Sequence, residues 1–309
     1  MDLGSRVKFL KIKIATSARK LKRKARRFVR KGRVFGSRVK RALLGRPPMD
    51  YAGRTSSGQI AHDASSFERD QRVYREHSTA LLNNSQKSDA YAVAIGSVDA
   101  EAFNYFGKME ADLLYQYGLS DDSLLVDVGC GSGRLALALA GRFNGSYLGT
   151  DISPELIAHA RGIVQSKNFE FVETVGLTIP AANNSVDFAC FFSVLTHLRH
   201  EESYLFLEDT VRTLKSGGKI IFSFLDFSQS SHWAQFEPIL NALRDGKPSP
   251  VNQMMSHDTI YRFAEYLQVE VVAIHDGVTN YIVNSEPKIS GHEESLVSLG
   301  QSVCVLQKR

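Results

Sequence analysis

The chain has 309 residues, 43% of them hydrophobic and 23% charged, enough to bury a full core and ordinary for a water-soluble globular protein. No apolar run approaches the ~18 residues of a membrane-spanning helix, and the first residues lack the apolar core of a secretory signal, so a cytoplasmic protein is expected. The net charge of +5 hides a split: residues 1–46 hold 18 of the 38 basic residues and one of the 33 acidic ones, a charge of +17, while the remaining 20 basic and 32 acidic side chains give −12.

In chain order the basic arm comes first. Val7, Leu10, Ile14, Ala18, Leu21, Ala25 and Phe28 recur every three or four residues, and Phe35, Val39 and Ala42 resume the pattern. This periodicity predicts a basic amphipathic helix, interrupted near Gly32 and Gly36. Such an arm can lie on an anionic membrane, grip nucleic-acid phosphates, serve as a transit peptide, dock on a partner protein, or remain a solvated charge run. Residues 47–66, beginning within Gly45-Arg-Pro-Pro48, read as a linker. Residues 67–118 read as a helical extension, in which Asp99–Tyr115 predicts a helix leading into the core.

From Ser123 apolar strands alternate with helical stretches. Leu124–Val128, Ser146–Thr150, Phe169–Thr174, Val186–Phe192 and Lys219–Leu225 predict strands. Gly133–Phe143, Pro154–Ser166 and Glu201–Lys215 predict helices, the last closed by the turn Ser216-Gly-Gly218. This alternation predicts an α/β domain over residues 119–309, a mostly parallel sheet with helices on both faces. Residues 229–255 read as an insertion. Asp258–Gln268 predicts a helix, and Val269–His275 with Ser302–Gln307 an antiparallel pair at the sheet edge.

The first strand runs through Gly129-Cys-Gly-Ser-Gly133 straight into a helix. Glycines let backbone turn tightly and approach a ligand, and ligands of such sheets sit beyond the carboxyl ends of the strands. The spacing is G-x-G-x-G, whereas the dinucleotide pattern is G-x-G-x-x-G. Asp151 ends the second strand, 18 residues after Gly133, where a carboxylate can accept both hydroxyls of a ribose.

Val126-Asp-Val-Gly-Cys-Gly-Ser-Gly133 resembles the first motif of class I S-adenosylmethionine methyltransferases. Gly149-Thr-Asp-Ile-Ser-Pro-Glu155, Val186-Asp-Phe-Ala-Cys-Phe-Phe-Ser193 and Leu214-Lys-Ser-Gly-Gly-Lys-Ile-Ile221 resemble their later motifs, in order, within residues 100–226. The resemblance implies a Rossmann-like sheet with an antiparallel last strand, and S-adenosylmethionine as cofactor. It implies that Gly129, Cys130, Gly131 and Gly133 line the methionine and ribose portion, that Asp127 approaches the amino group, and that Asp151 holds the ribose hydroxyls. Ile152 would pack on adenine and Ser193 would lie under the methionine. Many relatives place an Asp at the third-strand loop, but Thr174-Val-Gly-Leu-Thr-Ile-Pro180 has no acid, so backbone at Val175 would read adenine.

The acceptor side is less explicit. In this family the loop Ser193-Val-Leu-Thr-His-Leu198 borders the transfer centre, so His197 is the first candidate for a general base, with His200 and Asp226 behind it. Tyr105, Phe106 and Gly107 are candidates for an aromatic lid over the sulfonium, and His232 and Trp233 in the insertion for acceptor contacts. No metal set is expected, and Cys130, Cys190 and Cys304 read as buried reduced thiols. Phe192–Leu198 and Leu299–Leu306 resemble bacterial methyltransferases found with glycosyltransferases of surface polysaccharides. That likeness implies a sugar or other small hydroxylated acceptor, with the arm on the inner membrane face or on a glycosyltransferase. The alternatives are an RNA methyltransferase with the arm as phosphate clamp and a cofactor-binding scaffold without turnover.

Overall fold

The computed structural model describes residues 64–84, 89–174, 176–247, 251–285 and 296–309; the basic arm, nearly all of the linker and Val175 lie outside them. Three helices precede the sheet: α1 (Ala64–Asn84), α2 (Ala90–Ala94) and α3 (Ala100–Gln116). α3 begins where the Asp99 carboxylate accepts the Ala102 N–H at 2.8 Å, pairing one of the orphan donors of the first turn. Its Phe103, Met109, Leu113 and Leu114 are buried. Among the described residues no helix is long and apolar enough to cross a membrane.

The expected alternation follows as β1 (Leu124–Val128), α4 (Arg134–Leu139), β2 (Ser146–Asp151), α5 (Pro154–Ile163), β3 (Phe169–Glu173), β4 (Val186–Phe191), α6 (His200–Thr213) and β5 (Leu214–Asp226). After it come α7 (Trp233–Arg244), β6 (Met254–Met255), α8 (His257–Leu267), β7 (Val269–His275), β8 (Ile282–Val283), β9 (Leu296–Val297) and β10 (Ser302–Lys308). The sheet order is β3-β2-β1-β4-β5-β10-β7, with β6 beside the end of β5 and β8-β9 forming a separate pair. Strands β1 to β5 are parallel, and β10 runs antiparallel to both neighbours.

The expected antiparallel pair β7–β10 stands at the sheet edge, with β7 outermost and β10 between it and β5. Val303, Cys304, Val305 and Leu306 are all buried, as a strand covered on both faces requires, whereas β7 is only partly covered. One expectation is corrected: β5 begins earlier than Lys219. Its pairing to β4 jumps from Val186–Leu214 to Phe188–Lys219, so Ser216-Gly-Gly218 bulges out of the ladder instead of ending before it.

Alternation along the strands divides the core. Leu125, Phe188, Cys190, Ile221, Val303 and Val305 face one side; Val126, Val128, Ala189, Phe191, Ile220, Phe222 and Leu306 face the other. Asp127 follows the period of Leu125, and its register partner on β4 is Cys190. The strand order reverses between β1 and β4, so their carboxyl ends flank the crevice in which open sheets of this kind bind ligands.

Candidate active site

A cavity of ≈ 820 Å³ opens at that crevice. Its floor is the glycine loop between β1 and α4. Gly129 and Gly131 have φ of +69° and +55°, a left-handed conformation that side chains resist. A Cβ on Gly131 would come within 2.8 Å of Ile95 Cγ2, and one on Gly129 would collide with Val194. The loop therefore has room for backbone alone. Asp151 anchors it: one carboxylate oxygen accepts the Gly131 N–H and the other the Ser153 N–H, each at 2.9 Å. Burial pushes the Asp151 carboxyl above its ordinary value, opposed by these backbone donors. Each oxygen keeps acceptor capacity beyond its one N–H, the requirement for taking a vicinal diol.

Asp127 also lines the cavity, from the face it shares with Tyr147 and Cys190. The Tyr147 hydroxyl donates to Asp127 Oδ2 at 2.5 Å and the Cys190 thiol to Oδ1 at 3.5 Å. Burial outweighs both donors and pushes the carboxyl up to about 7. At Asp127 the folded chain therefore binds more protons than the unfolded chain between pH 3.8 and about 7. The Asp127 contribution to stability is present below that window and is lost as pH rises through about 7. Asp127→Asn should remove this loss. Urea unfolding of the ligand-free chain at about pH 5 and about pH 8 checks it, the variant gaining on the parent at the higher pH; an equal difference at both values contradicts the assignment.

The roof comes from the helical extension. Gln71, Tyr74 and Leu81 of α1 line the cavity, and the Tyr74 ring lies 5.0 Å from that of His197. Burial, then the nearby Asp151 carboxylate, raises the Tyr74 hydroxyl well beyond its usual range, so it stays a protonated donor. Phe106 and Phe192 add aromatic wall. Arg134, also in the wall, makes a two-pronged ion pair with the buried Glu110 of α3. Phe106 is one of the expected lid residues and does line the cavity. The α1 positions follow from no local pattern, because Tyr74 meets Asp151 and His197 only through the tertiary fold.

The opposite end is built around β4 and the insertion. Ser193, just past β4, holds φ of +61°, a strained conformation that costs of order 1–3 kcal/mol. Its N–H donates to Ser223 Oγ at 2.7 Å and its carbonyl accepts from the Thr196 hydroxyl at 3.1 Å. The strained turn leads into a 3₁₀ turn, Leu195–His197. There Val251 C=O lies 2.9 Å from His197 Nδ1, which makes Nδ1 the protonated nitrogen and Nε2 the basic one in the neutral ring. His232 is fixed differently. Its Nδ1 accepts the Asp226 N–H at 2.7 Å, so Nε2 carries the proton and donates to Gly300 C=O at 3.0 Å. Both nitrogens are used by backbone, and His232 is a clamp in the cavity wall.

The cavity thus gathers Asp127, Gly129, Cys130, Gly131, Asp151, Ile152, Ser193, His197 and His232. Gly133 begins α4 just behind it. Gly107, packed against the Arg134 backbone, and Gly133 stay outside the lining, as do four other candidates. The Asp226 carboxylate is buried beside β6, accepting the Ser228 N–H at 2.8 Å and meeting His257 Nε2 at 2.9 Å. His200 Nε2 meets Met254 C=O at 3.0 Å. Tyr105 packs on the α3 side of the core, where its neighbour Phe106 takes the lining place. Trp233 is half exposed at the start of α7, its ring against Phe236.

Residues 126–222 match the methyltransferase domain family. Over 101 residues the chain is 30% identical to ajmaline N-methyltransferase of Rauvolfia serpentina, covering 31% of this chain; the match spans 34% of that relative's length. Two solved structures share the fold. One is a methyltransferase of Haloferax volcanii in complex with the Trm112 methyltransferase activator, with TM-score 0.51 and 18% identity over 67% of this chain and 91% of that one. The other is geranyl diphosphate C-methyltransferase from Streptomyces coelicolor, with TM-score 0.50 and 16% identity over 79% and 98%. The motifs, the sheet order and the domain match agree: the chain carries a class I, S-adenosylmethionine-dependent methyltransferase domain.

Proposed function

We propose that the protein transfers a methyl group from S-adenosylmethionine to the oxygen of a neutral, hydroxylated small molecule, with a sugar hydroxyl as the leading acceptor. One observation carries this: a single cavity joins the glycine loop and Asp151 to His197, whose Nδ1 faces the Val251 carbonyl. The cofactor supplies an already activated methyl on its sulfonium. Asp151 accepts the ribose hydroxyls and Asp127 faces the amino group. The aromatic rings of Tyr74, Phe106 and Phe192 offer faces to a cation. His197 Nε2 takes the acceptor proton, while Val251 holds the ring in place. α1 and α7 roof the cavity and limit water.

The lining also favours an uncharged acceptor. Among the described lining residues Arg134 is the one Lys or Arg, and Glu110 already pairs with it. Among the described lining residues a phosphate would find no further guanidinium or ammonium, and Arg75 of α1, outside the lining, acts on the Asp151 carboxyl at the cofactor end. The test is transfer of labelled methyl from S-adenosylmethionine into separated saccharide, lipid and RNA fractions of the producing cells. Label in the saccharide fraction is expected; label confined to RNA overturns the assignment.

The +17 arm, residues 1–46, would hold this enzyme on an anionic membrane surface. Sedimentation with phosphatidylglycerol vesicles should fall with added salt and vanish when residues 1–46 are deleted. Binding that moves instead to RNA or to a glycosyltransferase reassigns the arm.

A further inference from the structure

Among the polar side chains that reach the cavity from outside the family-matched residues, Gln301 stands at the start of the chain's last crossing of the sheet. It lies immediately before β10, whose first residue, Ser302, pairs with Phe224 of β5. Gln301 Oε1 lies 2.6 Å from Ser223 Oγ and 3.3 Å from Ser193 Oγ. The Ser223 oxygen accepts the Ser193 N–H, and both serine hydroxyls donate to Gln301 Oε1. The two N–H donors of Nε2 are left at the other end, on a residue that lines the cavity.

The chain around Gln301 is held firmly. His232 donates to the Gly300 carbonyl from below. Gly277 passes so close that a Cβ there would sit 2.7 Å from Gly300 O, 2.8 Å from the Gln301 carbonyl carbon and 2.8 Å from His232 Nε2. A donor carried on so constrained a turn is preorganised for a ligand. Its natural partner is an uncharged oxygen, because the cavity offers no uncommitted Lys or Arg among its described lining residues.

We propose that Gln301 positions the methyl acceptor, its carboxamide N–H groups donating to a neutral hydroxyl or carbonyl oxygen of the molecule whose proton His197 receives. This rests on the methyl-transfer function proposed above. Gln301→Glu separates positioning from architecture, since it keeps Oε1 for the two serines and replaces the donor by an acceptor. Gln301→Asn keeps the amide but shortens its reach. The full chain and both variants are assayed with tritiated S-adenosylmethionine and a small-molecule extract of the producing cells, resolved by anion exchange. The parent should label the unretained, neutral fraction. Both variants should lose about tenfold or more in transfer at low extract concentration. Part of that loss should return at high concentration, with S-adenosylhomocysteine affinity and melting temperature unchanged. Transfer by Gln301→Glu equal to the parent, or label only in the retained fraction, overturns the assignment. No label with the parent chain overturns the methyl-transfer function, and this assignment with it.

Discussion

Replacing Asp151 by Ala is expected to weaken S-adenosylhomocysteine binding by about 100-fold or more. The carboxylate does two jobs. It accepts the Gly131 and Ser153 N–H groups, and in the proposed complex it accepts the ribose hydroxyls. A hydrogen bond to a charged group contributes about 1.5–3 kcal/mol, and each 1.4 kcal/mol is tenfold in affinity. The truncation also leaves two buried N–H donors unpaired, so the glycine loop loses its anchor. Asp151→Asn should fall between parent and Ala, because one acceptor oxygen survives. Calorimetric titration separates the three, with circular dichroism as the check on folding. Parent-like affinity in Asp151→Ala would remove the carboxylate from the site.

Replacing His197 by Gln is expected to act on the other half of the reaction. A glutamine amide can still donate to the Val251 carbonyl but takes no proton. A positioned general base typically contributes 10²- to 10⁴-fold, and turnover should fall by about that factor. Cofactor affinity should stay at the parent value, since Asp151 and the glycine loop are untouched. Steady-state rates set beside the same titration read this split. Equal turnover would show that the acceptor proton leaves by another path, and a parallel loss of cofactor affinity would make His197 structural.

The two halves of the site were unequally legible in the sequence. The cofactor half is local: Val126–Gly133 is a continuous strand, turn and helix start, and Asp151 closes the next strand. Short-range pattern therefore carried both. His197 was reachable because it follows β4 directly. The proposed acceptor half is assembled across the chain. Gln301 meets Ser193 and Ser223 through the antiparallel pairing of β10 with β5, and Tyr74 meets His197 through the docking of α1. Nothing around Gln301 in the sequence marks it, since a glutamine before a strand has many ordinary uses. Its one local trace is the pair of small residues that let the turn pass, Gly277 and Gly300.

The same distance explains the candidates that fell outside the cavity. Asp226 ends β5 as Asp151 ends β2, and by analogy it looked like a site carboxylate. β6 and α8, supplied by the insertion and the stretch after it, enclose it instead, and His257 takes its free oxygen. Trp233 marks the start of a helix whose inward positions are Gln235 and Ile239, so the tryptophan itself turns outward. His200 and His232 are spent on backbone carbonyls and amides that tie the insertion to the sheet.

Isothermal titration of the full chain with S-adenosylhomocysteine, beside NAD⁺ as the ligand of the related glycine pattern, tests the account at its centre. Saturable one-to-one binding of S-adenosylhomocysteine, lost in Asp151→Ala, with no response to NAD⁺, is the predicted result. Binding of NAD⁺ with no heat from S-adenosylhomocysteine would contradict it.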